Sequence, residues 1–225
     1  MSRMREDPFW YPKHRRLAGR IEFDAFLKTV PHELKRCTKD FERFKILERI
    51  YGVTTSFSDE DRFQVNFQKR KMEVPDLDGS QLIEKGAALV YSFNALGQVA
   101  VMLYGARSNL AKMEENLIYL RIGYYSAHQL RRMMRQDIKA LVAYAYFSTI
   151  DAEPTFGERM RVKFLRHFRP RDVDEKFAPA RGYDLVWGAL RSIVSAIAKP
   201  VGMAILIAAL TVLGMDYLAD FIRPK

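Results

Sequence analysis

The sequence predicts an α+β fold: a four-stranded antiparallel sheet packed by helices, followed by a basic connector and a C-terminal transmembrane helix. Three patterns lead to this prediction. Apolar residues recur every three or four positions near 33–51 and 130–145, and they alternate with polar residues near 62–68. The run VGMAILIAALTVLGM at 201–215 carries no charge.

The chain is expected to divide into six segments with different properties. These are a basic aromatic N-terminal arm over 1–19, a cytoplasmic α+β domain over 20–150, a basic juxtamembrane connector over 151–183, an interfacial amphipathic helix over 184–199, a transmembrane helix over 200–219 and a short tail over 220–225.

Two helices are predicted to open the α+β domain. The shorter covers about 22–28, and the longer covers 33–51, where the apolar residues share one face. Pro31 precedes the longer helix and Gly52 follows it, as is common at helix boundaries. Cys37, the one cysteine of the chain, excludes an internal disulfide and is expected to be a small core residue rather than a nucleophile.

The middle of the domain is predicted to form the sheet. The four strands are 53–58, 62–68, 87–93 and 98–104. Strict alternation over 62–68 is typical of a half-buried strand. The last two strands are apolar on both faces and flank a four-residue turn ending in Gly97, which predicts a central hairpin. Residues 71–86 are predicted to be a loop, because Pro75 and Gly79 interrupt them.

Residues 109–147 are predicted to be helical, with a break near Gly123. In the second half, cations lie on or beside the face opposite the apolar one. They form a candidate partner-binding face: Arg131, Arg132, Arg135 and Lys139. The competing interpretation is a solvated helix surface, which ranks above nucleic-acid binding because no known reading motif accompanies these residues.

A basic amphipathic helix is expected over about 157–168, within the connector. Basic residues in and around it are predicted to bind anionic lipid headgroups. The predicted membrane-surface residues are Arg159, Arg161, Lys163, Arg166, Arg169, Arg171 and Lys199. The alternative is a linker helix packed on the domain.

The C-terminal stretch 200–219, as a helix, would be about 30 Å long, which matches the hydrocarbon core of a bilayer. A buried helix of a soluble protein and a re-entrant or interfacial pair of helices are the alternatives. Small residues at a spacing of four are expected to allow helix self-association: Gly188, Ser192, Ala196, Ala204 and Ala208. The Lys/Arg excess before the span predicts a single-pass inner or plasma membrane protein with its N-terminal domain in the cytoplasm.

The formal net charge of +10 suits anionic lipid, nucleic acid or an acidic protein as a partner. The four histidines do not have the spacing of metal ligands, and neither a phosphate-binding loop nor a nucleophile elbow is present. No catalytic residue, metal site or cofactor is therefore predicted.

These features favour binding or sensing coupled to a membrane rather than catalysis. The first hypothesis is a membrane-anchored cytoplasmic module, one version of which is an oligomerising, membrane-perturbing effector of a bacterial stress or defence system. The second is a membrane-tethered adaptor that recruits a protein or a nucleic acid, and the third is a divergent membrane-bound enzyme. The expected partners are anionic lipids and a second copy or a membrane protein, with nucleic acid ranked below them.

Overall fold

The computed structural model describes residues 10–58, 61–75, 81–110 and 113–180. Its helices are α1 (Trp10–Thr38), α2 (Glu42–Tyr51), α3 (Ala127–Ser148) and α4 (Phe156–Phe168). Its strands are β1 (Val53–Ser58), β2 (Arg62–Phe67), β3 (Lys69–Pro75), β4 (Gln81–Lys85), β5 (Ala88–Phe93), β6 (Val99–Tyr104), β7 (Leu117–Gly123), β8 (Arg171–Val173) and β9 (Lys176–Ala178).

The main sheet has seven antiparallel strands in the order β1-β2-β5-β6-β7-β8-β9, and β3 and β4 form a separate two-stranded sheet. The α+β class with an antiparallel sheet is confirmed. The expected number of four strands is too small, because β7, β8 and β9 extend the sheet beyond β6.

One face of the main sheet carries the hydrophobic core. Alternate residues of β2, β5 and β6 are buried there and meet the apolar faces of the helices, among which α1 packs against α3. The buried side chains from the sheet include Phe63, Val65, Leu89, Tyr91, Val101 and Leu103. Those from the helices include Phe23, Phe26, Leu47, Leu130, Met134 and Ile138.

The first helix is longer than the sequence predicts. A single helix, α1, covers 10–38 with Pro31 inside it, and the predicted helix 33–51 is interrupted around 39–41 before α2 begins. Pro31 cannot donate the helical hydrogen bond that its position requires. Val30 and Leu34, on either side of it, are both buried in the core. We infer that this packing outweighs the lost bond and keeps the helix continuous.

The sequence predicts a loop over 71–86, but residues 71–75 and 81–85 of that stretch lie in strands. β3 pairs with β4, and Met72 and Leu82 are almost fully buried. Each strand continues the line of a main-sheet strand, since Phe67 N donates to Ala87 O and Gly86 N donates to Gln68 O. A proline at the end of a strand loses no internal ladder bond, so Pro75 is compatible with this arrangement.

Residues 117–123 form β7 and not a helix, so the helical prediction for 109–125 is wrong. Ile118 and Leu120 are buried while Tyr119 between them is only half-buried, a strand pattern that is too short to identify from sequence. The free edge of β6 supplies the partner that stabilises the strand, with Leu103 opposite Ile118.

Other predictions are confirmed. The β5–β6 hairpin is present, with Gly97 at a φ of 82° in its turn. Helix α4 covers 156–168 and begins with a capping box in which Thr155 and Glu158 satisfy each other's backbone N–H. The backbone of α1 lies against the hairpin turn, and a Cβ added to Gly19 would stand 2.5 Å from the carbonyl oxygen of Gly97.

Within the four described ranges, no helix combines the length and the apolar character needed to cross a bilayer. This finding contradicts the predicted single-pass location in the inner or plasma membrane. It also contradicts the membrane-anchored module, the membrane-perturbing effector of a stress or defence system, the tethered adaptor and the membrane-bound form of the divergent enzyme. The stretches on which they depended, 184–199 and 200–219, lie outside the described residues.

Candidate anion-binding groove

Charged side chains occupy two different settings in the protein, and the first is the interior. Three carboxylates are almost fully buried: Glu84, Glu115 and Asp137. Each of them accepts hydrogen bonds from one arginine and one tyrosine. The sets are Arg70 and Tyr51 on Glu84, Arg166 and Tyr144 on Glu115, and Arg121 and Tyr91 on Asp137.

The geometry of these sets is close. Arg121 holds Asp137 with two nitrogens, at 2.7 and 2.5 Å from the two carboxylate oxygens, and the Tyr91 hydroxyl donates at 2.8 Å. Arg166 likewise donates from two nitrogens to Glu115, at 2.6 and 2.7 Å from the two carboxylate oxygens. Such pairs compensate for the removal of both charges from water. These arginines therefore serve the fold, and their charge is already largely neutralised by the carboxylate.

Burial and hydrogen bonding shift the pKa values of these groups in different directions. Burial acts to raise the pKa of Glu115, but the hydrogen bonds from Arg166 and Tyr144 outweigh it and leave that pKa below its ordinary value. For the more deeply buried Asp137, burial prevails over Arg121 and raises the pKa. Burial and the hydrogen bond to Glu84 raise the pKa of Tyr51 to about 12.

The second setting is a groove between the end of α1 and the exposed side of α3. It has a volume of about 540 Å³ and continues into a shallower depression that shares three of its residues. We call it the basic groove and define it by the cations that line it: Arg36, Arg131, Arg132, Arg135 and Lys139. Cys37, Asp40 and Phe41 complete its lining.

Local sequence explains why α3 presents these cations together. The helix starts at a capping box between Ser126 and Gln129, and Ala127 N donates to Glu22 of α1, which ties the two helices together. Buried Leu130, Met134 and Ile138 fix the opposite face against the core. At 3.6 residues per turn, the α3 cations and His128 then fall within an arc of about 100°.

The basic groove has an excess of unpaired positive charge. Arg36 forms an ion pair with Glu33 at 2.7 Å. The four α3 cations form no ion pair with any residue in the described part of the chain, and Asp40 is the one carboxylate in the 540 Å³ lining. Arg131 and Arg135, and likewise Arg135 and Lys139, are four residues apart on one helix, where like charges repel each other.

Cys37 sits at the wall of the groove without the properties of a reactive thiol. It is half-buried and packs against the hydrophobic core. Burial raises the pKa of its thiol, so the neutral form prevails. The sequence interpretation of Cys37 as a small residue that contributes to packing therefore fits its position.

The predicted membrane-surface residues are distributed over different environments rather than one surface. Arg166 is engaged by Glu115, and Arg171 is buried in β8. Arg159 donates to the backbone oxygen of Pro154, Lys163 is exposed, and Arg161 and Arg169 line a separate cavity. The remaining one, Lys199, lies outside the described residues, as do the predicted self-association residues Gly188, Ser192, Ala196, Ala204 and Ala208.

The sequence predicts the four α3 cations of the groove but not Arg36 of α1 or His128 of α3. Only the packing of α1 on α3 brings Arg36 beside the α3 cations. A signal for His128 exists in the sequence, since it precedes Arg131 and Arg132 by three and four positions, the spacing of one helix face.

The described residues contain no cluster of histidine, cysteine and carboxylate side chains that could hold a metal ion. Comparison of the chain with protein-family models, with curated proteins and with solved structures finds no match.

Proposed function

We propose that this protein binds nucleic acid through the basic groove, by contacts to the phosphate backbone. The observation that carries the proposal is the set of α3 cations that have no ion-pair partner in the described ranges, gathered opposite Arg36 around one groove. Phosphates would supply the missing counter-charges.

The kind of cation supports phosphate as the ligand. Arginine is the main residue of the groove, and its planar guanidinium can donate two parallel hydrogen bonds to one phosphate. From His128 to Lys139 the helix rises about 16 Å, which equals the axial rise of about five base pairs of B-form duplex at about 3.4 Å each. The cations are thus spread widely enough to contact several phosphates and not only one.

The lining also indicates which part of the nucleic acid is recognised. Positive charge dominates the lining. Its one aromatic side chain among the described residues, Phe41, is half-buried and packs against the hydrophobic core. Contacts to phosphates fix position and carry no sequence information by themselves. We therefore expect binding that is salt-dependent and largely independent of sequence, with a dissociation constant of about 1–100 µM at physiological salt.

The test measures binding by fluorescence anisotropy over a series of salt concentrations. The ligands are a labelled 16-base-pair duplex and a labelled 16-nucleotide single strand. The double variant Arg132→Ala/Arg135→Ala removes two groove cations. Its plot of log K against log salt for the duplex should be shallower than that of the wild type by about 2, and its affinity at 0.1 M salt roughly 50-fold lower.

The matched control is Lys45→Ala/Arg49→Ala, which removes the same charge from exposed positions of α2. It should bind within about 3-fold of the wild type, since neither residue lines the groove. Equal losses in both double variants would reduce the effect to net charge and contradict the groove. Absence of binding to either nucleic acid at 20 mM salt would overturn the function.

A further inference from the structure

A second cavity lies between β7, α3 and α4, away from the residues of the basic groove. It has a volume of about 560 Å³, within the range of about 300–1,000 Å³ that is usual for small-molecule sites. Its lining is charged at one end and apolar along α4. We propose that it binds a small organic anion, a carboxylate or phosphate monoester that carries an apolar body.

The charged end is built around an arginine that the fold holds in place. Asp137 takes one N–H from each terminal nitrogen of Arg121, and Asp137 is itself fixed by the Tyr91 hydroxyl. A guanidinium has five N–H donors, so this pairing leaves donors over. Since Arg121 lines the cavity and is partly exposed, a ligand oxygen can reach them without disturbing the pair.

Two further arginines add charge that the pair does not neutralise. Arg161 of α4 and Arg169, which follows α4, both line the cavity. Neither forms an ion pair or a side-chain hydrogen bond with any residue of the ranges that the structure describes. With the Arg121–Asp137 pair close to neutral, the cavity has a net positive charge, which favours an anionic headgroup.

The apolar wall is an independent observation. Met160 and Phe164 lie four residues apart on α4, line the cavity and are 49% and 54% exposed. Val162 and Leu165 are the buried residues of α4, and Leu165 also lines the cavity. Large apolar side chains on a cavity wall beside arginines suit a ligand with an apolar part, whereas a purely inorganic anion would not use them.

The rim offers a position for a substitution that blocks access. Gly157 of α4 lines the cavity, and a Cβ added there meets no atom within 4 Å, so a larger side chain has room. Gly157→Leu is therefore expected to keep the fold and to reduce the space for a ligand. Arg121 is left intact in the test, because its removal would strand buried Asp137.

The experiment is isothermal titration calorimetry of the full chain with four ligands: octanoate, octyl phosphate, octan-1-ol and inorganic phosphate. We expect saturable one-to-one binding of octanoate or octyl phosphate, and the tighter of these two identifies the headgroup. Arg161→Ala/Arg169→Ala should weaken that binding at least 10-fold, and Gly157→Leu should weaken it as well. Lys163→Ala, an exposed α4 cation that is not in the cavity lining, should remain within 2-fold of the wild type.

Four results would overturn the proposal. They are equal binding of octan-1-ol, equal binding of inorganic phosphate, equal losses in the Lys163 and double-arginine variants, and no saturable binding of either amphiphile up to 10 mM. Because Gly157 does not line the basic groove, nucleic-acid affinity should be unchanged in Gly157→Leu. Failure here is thereby distinguishable from failure of the nucleic-acid function.

Discussion

The interior and the basic groove use the same side chain in opposite ways. In the interior, Arg70, Arg121 and Arg166 each hold a buried carboxylate that also accepts from a tyrosine. In the groove, the α3 cations are adjacent to one another and lack a carboxylate partner in the described residues. In the first arrangement each arginine compensates a buried carboxylate, so loss of either partner destabilises the fold, whereas in the second the neighbouring cations repel each other slightly.

This difference indicates which charges serve the fold and which are available for a ligand. Positive charges kept together despite their repulsion are better explained by an external anion than by stability. Substitutions in the interior should therefore change the stability of the fold, whereas substitutions in the groove should change the affinity for an anion.

The largest effect is expected for Asp137→Ala, which leaves Arg121 and Tyr91 without their acceptor. The free energy of unfolding should fall by about 3–5 kcal/mol, as measured by urea denaturation at pH 7. Asp137→Asn keeps the shape of the side chain and separates the loss of charge from the loss of volume. A decrease below about 1 kcal/mol in both variants would mean that the pair does not stabilise the interior.

A pH-dependent effect is expected at Glu115. Its pKa is lower in the folded protein than in the unfolded chain, so the stability that it contributes is complete above about pH 4.3 and is lost as pH falls through the folded pKa. Urea denaturation of Glu115→Gln at pH 7, 5, 4 and 3 should show a destabilisation that shrinks towards pH 3. The exposed Glu153→Gln is the control, and a constant difference from pH 7 to pH 3 would contradict the prediction.

A smaller effect is expected for Tyr91→Phe. The substitution removes one hydrogen bond to Asp137, while the two bonds from Arg121 remain. A decrease of about 1–2 kcal/mol is expected, since the lost bond is buried and involves a charged acceptor. Tyr104→Phe is the matched control, because that hydroxyl is half-buried and its partner is a methionine sulfur at 4.0 Å. Equal losses in both variants would contradict a specific role for the Tyr91 hydroxyl.

The smallest change in stability is expected for Arg135→Ala, at the centre of the groove. Arg131 and Lys139 lie four residues to either side, so the substitution relieves two like-charge contacts and places a strong helix former on an exposed face. The free energy of unfolding should stay the same or rise by about 0.5 kcal/mol, measured as above. A loss of more than about 1 kcal/mol would mean that Arg135 has a structural partner and would weaken the contrast between the two regions.

The sequence predicted those elements whose pattern is long or whose turn chemistry is specific. Helix α4 and the β5–β6 hairpin are of this kind. It failed where tertiary packing decides the outcome. Pro31 indicates a helix boundary locally, and only the burial of Val30 and Leu34 explains why α1 continues through it. Strand β7 depends on pairing with β6, a partner that its own residues do not reveal.

The same limit applies to the candidate sites. The spacing of Arg131, Arg132, Arg135 and Lys139 identified one wall of the basic groove, because helical periodicity can be seen in a sequence. Arg36 belongs to another helix and joins them through the contact between α1 and α3. The Arg121–Asp137 pair, on β7 and α3, was not foreseen because β7 was assigned to a helix.

The late arrival of β8 at the sheet has a consequence for synthesis. The edge of β7 is completed by residues 170–172, about 50 positions further along the chain. At about 5–20 residues per second, a ribosome needs roughly 3–10 s to add that segment. During this interval a nascent chain presents an uncovered strand edge beside its apolar core residues. Another strand can pair there in place of β8, so crowding among nascent chains raises the risk of misassembly.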